Sequence, residues 1–136
     1  FNVKIVELEK LLAQSDYISL HLPLGDSTYH MFSEEMLQKC KKGVRIINCA
    51  LGEIIDENAL YKALQSGQVA GAALDVFEKK PPRDSPLREL PNVIMTPHIG
   101  ASTVEAKIRV ATKVARQMVE FFKEEKIENV VNPEAI

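Results

Sequence analysis

Four short runs rich in Val, Ile and Leu recur along this chain with helical stretches between them, and that alternation is what most narrows the folds open to it. The runs are Tyr17-Ile18-Ser19-Leu20-His21-Leu22, Val44-Arg45-Ile46-Ile47-Asn48-Cys49, Val69-Ala70-Gly71-Ala72-Ala73-Leu74-Asp75-Val76 and Val93-Ile94-Met95-Thr96. Each suits a strand in length, and β-branched side chains pack well on a pleated surface. Strands separated by helices can run parallel, joined by right-handed crossovers, because the helix carries the chain back to the starting edge. The expected class is therefore α/β, a doubly wound parallel sheet.

The intervening stretches carry their own start and stop signals. Val6, Leu8, Leu11 and Leu12 fall at helical spacing, and Pro23 with Gly25 ends the first strand run. Ser33 can cap a short helix through Met36 and Leu37 to Cys40, with Lys41, Lys42 and Gly43 at its exit. Asp56 caps a helix with Leu60, Ala63 and Leu64 on one face, and Gly67 supplies its left-handed stop. Ser102-Thr103-Val104-Glu105 reads as a capping box opening a long amphipathic helix through Val104, Ile108, Ala111, Ala115, Met118 and Phe122. No repeat, low-complexity tract or linker interrupts the series, so one unit is expected.

Composition removes several classes of function. The 19 acidic and 17 basic residues are mixed along the chain for a net charge of −2, so there is no basic stripe for nucleic acid. No apolar run approaches the ~20 residues that span a bilayer, and the first residues do not follow a signal-peptide plan, so a cytoplasmic protein is expected. Cys40 and Cys49 are expected to stay reduced, and no His, Cys or carboxylate set has metal-ligand spacing.

In a parallel α/β sheet a ligand sits beyond the carboxyl ends of the strands. Those positions hold His21-Leu22-Pro23, Asn48-Cys49-Ala50-Leu51-Gly52, Asp75-Val76-Phe77 and Pro97-His98-Ile99-Gly100-Ala101-Ser102. Taken alone, His98 reads first as a partly buried structural histidine, and Asp75 admits a reading as a turn or helix-cap carboxylate. His21 and His30 read as structural, and Cys49 as a packing residue with nothing nearby to make it a thiolate.

Three motifs in order change that balance: Ala70-Gly71-Ala72-Ala73-Leu74-Asp75-Val76-Phe77, Pro97-His98-Ile99-Gly100-Ala101-Ser102-Thr103 and Asn48-Cys49-Ala50. Together they resemble the D-isomer-specific 2-hydroxyacid dehydrogenases. The segments Cys40–Arg45 and Ala63–Gln68 resemble in particular the members that oxidise 3-phosphoglycerate. The likeness runs from about Val3 to Val131 and implies the second half of a Rossmann-like NAD-binding domain. It implies hydride transfer between NAD and a 2-hydroxy acid, with His98 as the general acid/base. It implies that Asp75 accepts from the nicotinamide carboxamide. Leu22, Cys49, Ala50, Leu51 and the stretch His98, Ile99, Gly100, Ala101 would line the cofactor.

The chain departs from the family pattern at two chemical positions. Leu51 stands where the resemblance places the arginine that grips the substrate carboxylate, with Glu53 at the following pattern's second glycine. Lys80 stands where it places the glutamate that pairs with the catalytic histidine. No Gly-x-Gly-x-x-Gly turn occurs, and the chain opens on Phe1 without an initiator Met. The expectation is a truncated NAD-binding domain over residues 1–136, with 127–136 starting the return to a substrate domain. Weak or absent NAD binding in isolation is expected, with a bare sheet edge covered in a homo-oligomer, possible through exchange of the long helix. The alternative is a non-catalytic pseudoenzyme, scaffold or engineered half-domain that associates through that edge.

Overall fold

A computed structural model describes residues 3–132. Strands β1 (Tyr17–Leu20), β2 (Val44–Asn48), β3 (Val69–Leu74) and β4 (Val93–Met95) form one parallel sheet whose order in space equals their order in sequence. Ile18 pairs with Ile46, Ile46 with Ala72, and Leu74 with Met95, so the register runs across all four strands. The chain divides after His98 into two compact units. The first holds the sheet with helices α1 (Leu8–Gln14), α2 (Glu34–Lys39) and α3 (Glu57–Ser66); the second holds α4 (Val104–Glu124).

Period-two patterning decides which side of each strand is covered. Ile18 and Leu20 are buried while Tyr17 and Ser19 are exposed, and in β2 Val44, Ile46 and Asn48 are buried while Arg45 is exposed. Against the buried side lies α3, through Ala59, Leu60, Ala63 and Leu64, four positions that share one helical face. Burying each Leu, Ile or Val of this set contributes about 1.5–3 kcal/mol, which is why the exposed surface of α3 can be polar without loss.

The caps form as their residue types demand. The Ser33 hydroxyl accepts from the Met36 N–H at 3.4 Å, and the Asp56 carboxylate accepts from the N–H groups of Asn58 and Ala59 at 2.9 and 3.0 Å. Gly67 ends α3 at φ 75°, in the left-handed region where a side chain is costly.

Three local readings change. The cap of α4 is Thr103, whose hydroxyl accepts from Ala106 N–H at 3.1 Å; the box expected from Ser102 to Glu105 does not form. Ser102 is used otherwise, donating its N–H to Ile99 O at 3.0 Å in the preceding turn. The strands also end one to two residues before their apolar runs do, because Cys49, Asp75 and Thr96 leave the ladder for the rim beyond it. Two short 3-10 turns, Gly52–Ile54 and Pro86–Glu89, were not expected from periodicity, which needs longer elements to show. No residue of α4 is buried, and Val104, Ile108, Met118 and Phe122 along its apolar stripe are exposed. Among the described residues no helix is long and apolar enough to cross a membrane.

Candidate functional site

The site lies at the carboxyl ends of β3 and β4, and beside it the chain leaves β2 in a turn made by one buried amide. Asn48 is the third inward residue of β2 and only 1% exposed. Its Oδ1 accepts from Ala50 N–H at 3.0 Å and its Nδ2 donates to Leu51 O at 2.9 Å, which closes the Asn48–Leu51 turn around a single side chain. Replacing it should cost more than the two bonds alone, since a backbone donor and acceptor are left behind. Asn48→Ala is expected to lower stability by about 1–3 kcal/mol in urea unfolding. An unchanged midpoint would show that the turn stands without it.

The neighbouring strand ends are tied to this turn laterally. Asp75 N–H donates to Asn48 O at 2.9 Å, Thr96 N–H donates to Leu74 O at 3.0 Å, and Thr96 Oγ1 donates to Asp75 Oδ1 at 2.5 Å. Asp75 is 5% exposed, a buried carboxylate held by a neighbour from the adjacent strand. Two residues beyond Thr96 comes His98, exposed, at φ 57°. A non-glycine residue in the left-handed region stores strain on the order of 1 kcal/mol or more, and such residues gather at functional sites.

Asp75, Thr96 and His98 line one cavity of about 540 Å³ whose polar lining also includes Lys80 and Arg88. Phe77, Met95 and three prolines supply its apolar walls. Lys80 lies on a loop anchored from beneath by α3. Glu78 N–H donates to Glu57 Oε1, Glu57 N–H donates to Glu78 Oε1, and Ser85 Oγ donates to Glu57 Oε2, all at 2.9 Å. The three bonds bracket Lys80, Pro81 and Pro82, so that wall of the cavity is fixed on both sides.

With this geometry in place, the comparison with known proteins is decisive. The model of the D-isomer specific 2-hydroxyacid dehydrogenase NAD binding domain matches residues 1–100. The chain belongs to that family. It is 48% identical over 136 residues to D-3-phosphoglycerate dehydrogenase of Homo sapiens, covering all of this chain and 26% of the relative. A glyoxylate reductase structure from Paecilomyes thermophila superposes with a TM-score of 0.83 at 40% identity, covering 96% of this chain and 40% of that one. An NAD-dependent formate dehydrogenase from Staphylococcus aureus, in complex with NAD, superposes at 0.77 with 34% identity over 91% of this chain and 38% of that one. The chain therefore spans about a quarter of the human dehydrogenase's length.

Within this dehydrogenase domain the residues singled out by sequence fall into separate groups. Asp75, Lys80 and His98 meet at the cavity. Ala50 and Leu51 are half-buried and pack against the core, while Leu22 and Cys49 are exposed beyond their strands. Ile99, Gly100 and Ala101 are exposed and open the second unit. His21 lies 2.8 Å from Ser19 Oγ through Nε2, and His30 stacks on Tyr29 with Nε2 3.3 Å from Glu78 Oε2; neither lines the cavity. Burial pushes the Cys40 thiol up, as befits a cysteine that fills the core.

Sequence reasoning gave no role to Asn48's side chain, Thr96, Gly52 or Arg88. Asn48 carried a signal, since it continues the inward series Val44, Ile46 as a polar residue at a buried position. Thr96 and Arg88 had none, because their importance depends on which strand end and which loop stand beside them.

The lining fits the nicotinamide end of NAD: a buried carboxylate can accept from a carboxamide N–H, and apolar walls suit an aromatic ring. Among the described residues no group of three or more His, Cys, Asp or Glu is arranged to hold a metal ion.

Proposed function

We propose that this domain carries the nicotinamide half of an NAD-linked D-2-hydroxyacid dehydrogenase whose substrate is of the 3-phosphoglycerate type. What supports the reading most is that Asp75 and His98, from the ends of adjacent strands, open onto one cavity. In this reading Asp75 orients the bound ring by accepting from its carboxamide. His98 takes the proton of the 2-hydroxyl during oxidation and returns it during reduction, the work of an imidazole at neutral pH. Bound NAD supplies the hydride acceptor or donor. Thr96 holds the Asp75 carboxylate in place through its hydroxyl, and the apolar walls offer a surface to the nicotinamide ring.

These 136 residues contain no Gly-x-Gly-x-x-Gly turn, so they supply no such cradle for the diphosphate. Binding by the nicotinamide end alone is correspondingly weak, on the order of millimolar. NADH fluorescence should change saturably with added chain, and Asp75→Ala should remove the change. A signal that never saturates, or one indifferent to Asp75→Ala, would leave the chain as a silent scaffold and overturn the reading.

A further inference from the structure

The cavity beside His98 is cationic on one side. Lys80 and Arg88 both line it, and both are exposed. Among the described residues neither forms an ion pair: Lys80 makes no polar contact, and Arg88 donates one Nη1 bond to Arg83 O at 2.6 Å. Asp84 and Glu89 line a neighbouring depression that Arg88 also borders, and among the described residues neither stands in an ion pair with it. The one acid on the cavity wall, Asp75, is buried and bonded to Thr96. The positive charge facing the cavity is therefore available to a ligand.

Leu51, in contrast, is half-buried against the core and does not line this cavity. We infer that carboxylate recognition in this chain rests on Lys80 and Arg88, in place of the guanidinium that the family pattern puts at position 51. The inference deepens the proposed function and rests on it, naming the groups that hold the anionic end of a 2-oxo or 2-hydroxy acid while His98 faces the adjacent oxygen. Arg88 offers a planar fork suited to a carboxylate, and Lys80 a mobile point charge. The loop carrying Lys80 is held on both sides by Glu57, so the ammonium approaches from a fixed base. Lys80 in this role replaces an interaction with the imidazole by one with the substrate, which gives the departure at this position a use.

The test employs oxalate, a small dicarboxylate, against oxamide, its neutral counterpart of nearly the same shape. The ring C–H resonances of His98 are followed by NMR at fixed pH without nucleotide. Oxalate should shift them saturably and oxamide should not. Lys80→Met and Arg88→Gln, both at exposed positions, should each weaken oxalate about tenfold, and Lys80→Arg should restore most of the loss. Oxamide binding as well as oxalate, or oxalate affinity untouched by either substitution, overturns the inference. Because NADH is absent here and oxalate is absent from the fluorescence titration, failure of one reading is distinguishable from failure of the other.

Discussion

Gly52→Ala should destabilise the domain by about 3 kcal/mol or more, the largest effect expected of any single methyl group in this chain. A Cβ built at Gly52 falls 2.1 Å from the carbonyl carbon of Phe77, 2.2 Å from its oxygen and 2.6 Å from the Glu78 nitrogen. These are backbone atoms, and Glu78 is further held by its reciprocal bonds with Glu57, so they cannot step aside cheaply. The pressure would be felt where it matters, since Gly52 follows the Asn48–Leu51 turn and Phe77 lines the His98 cavity. Urea unfolding reads the effect, with Gly25→Ala as the control, because nothing lies within 4 Å of a Cβ at Gly25. The control should stay within about 0.5 kcal/mol. Equal stability of the two variants would mean that the Gly52 and Phe77 backbones are not in contact.

Phe32→Ala is expected to cost about 3–5 kcal/mol, the range for an aromatic removed from a core that collapses only partly. Phe32 is 2% exposed and belongs to no strand, yet it forms a parallel bridge with Ile55. Its N–H donates to Ile54 O at 3.0 Å, and Asp56 N–H donates to its carbonyl at 3.3 Å. These backbone bonds join the loop between β1 and α2 to the segment that leads into α3, and the ring is buried in the core. Against the 5–15 kcal/mol typical of a domain, such a loss should bring thermal unfolding down by many degrees. A shift of only a degree or two would show that the backbone bridge holds the segment without the ring.

Much of this architecture is legible in the residues because local and global signals agree. Ser33, Asp56 and Gly67 stand where helices start and stop, and the inward series Ile18, Leu20 and Val44, Ile46 shows which face is buried. Asp75 and His98 stand at strand ends, where a parallel sheet presents its ligand-binding rim, but alone each also reads as a structural residue, and it was the three motifs in order that singled them out. What could not be read depends on pairs distant in sequence. The closeness of Gly52 to Phe77, the reciprocal bonds of Glu57 and Glu78 and the approach of Arg88 to the cavity join positions that no period connects. Thr103 replaced Ser102 as a cap because two hydroxyl residues stood side by side, and the choice fell to which N–H the preceding turn required.

The sheet's agreement between spatial and sequence order carries a kinetic consequence. Every strand finds its partner one crossover away, so no pairing waits for distant parts of the polypeptide to meet, and the entropy of each closure stays similar from one edge to the other. Assembly can then advance as a zipper, with β1 and β2 joined while later residues are still emerging from the ribosome.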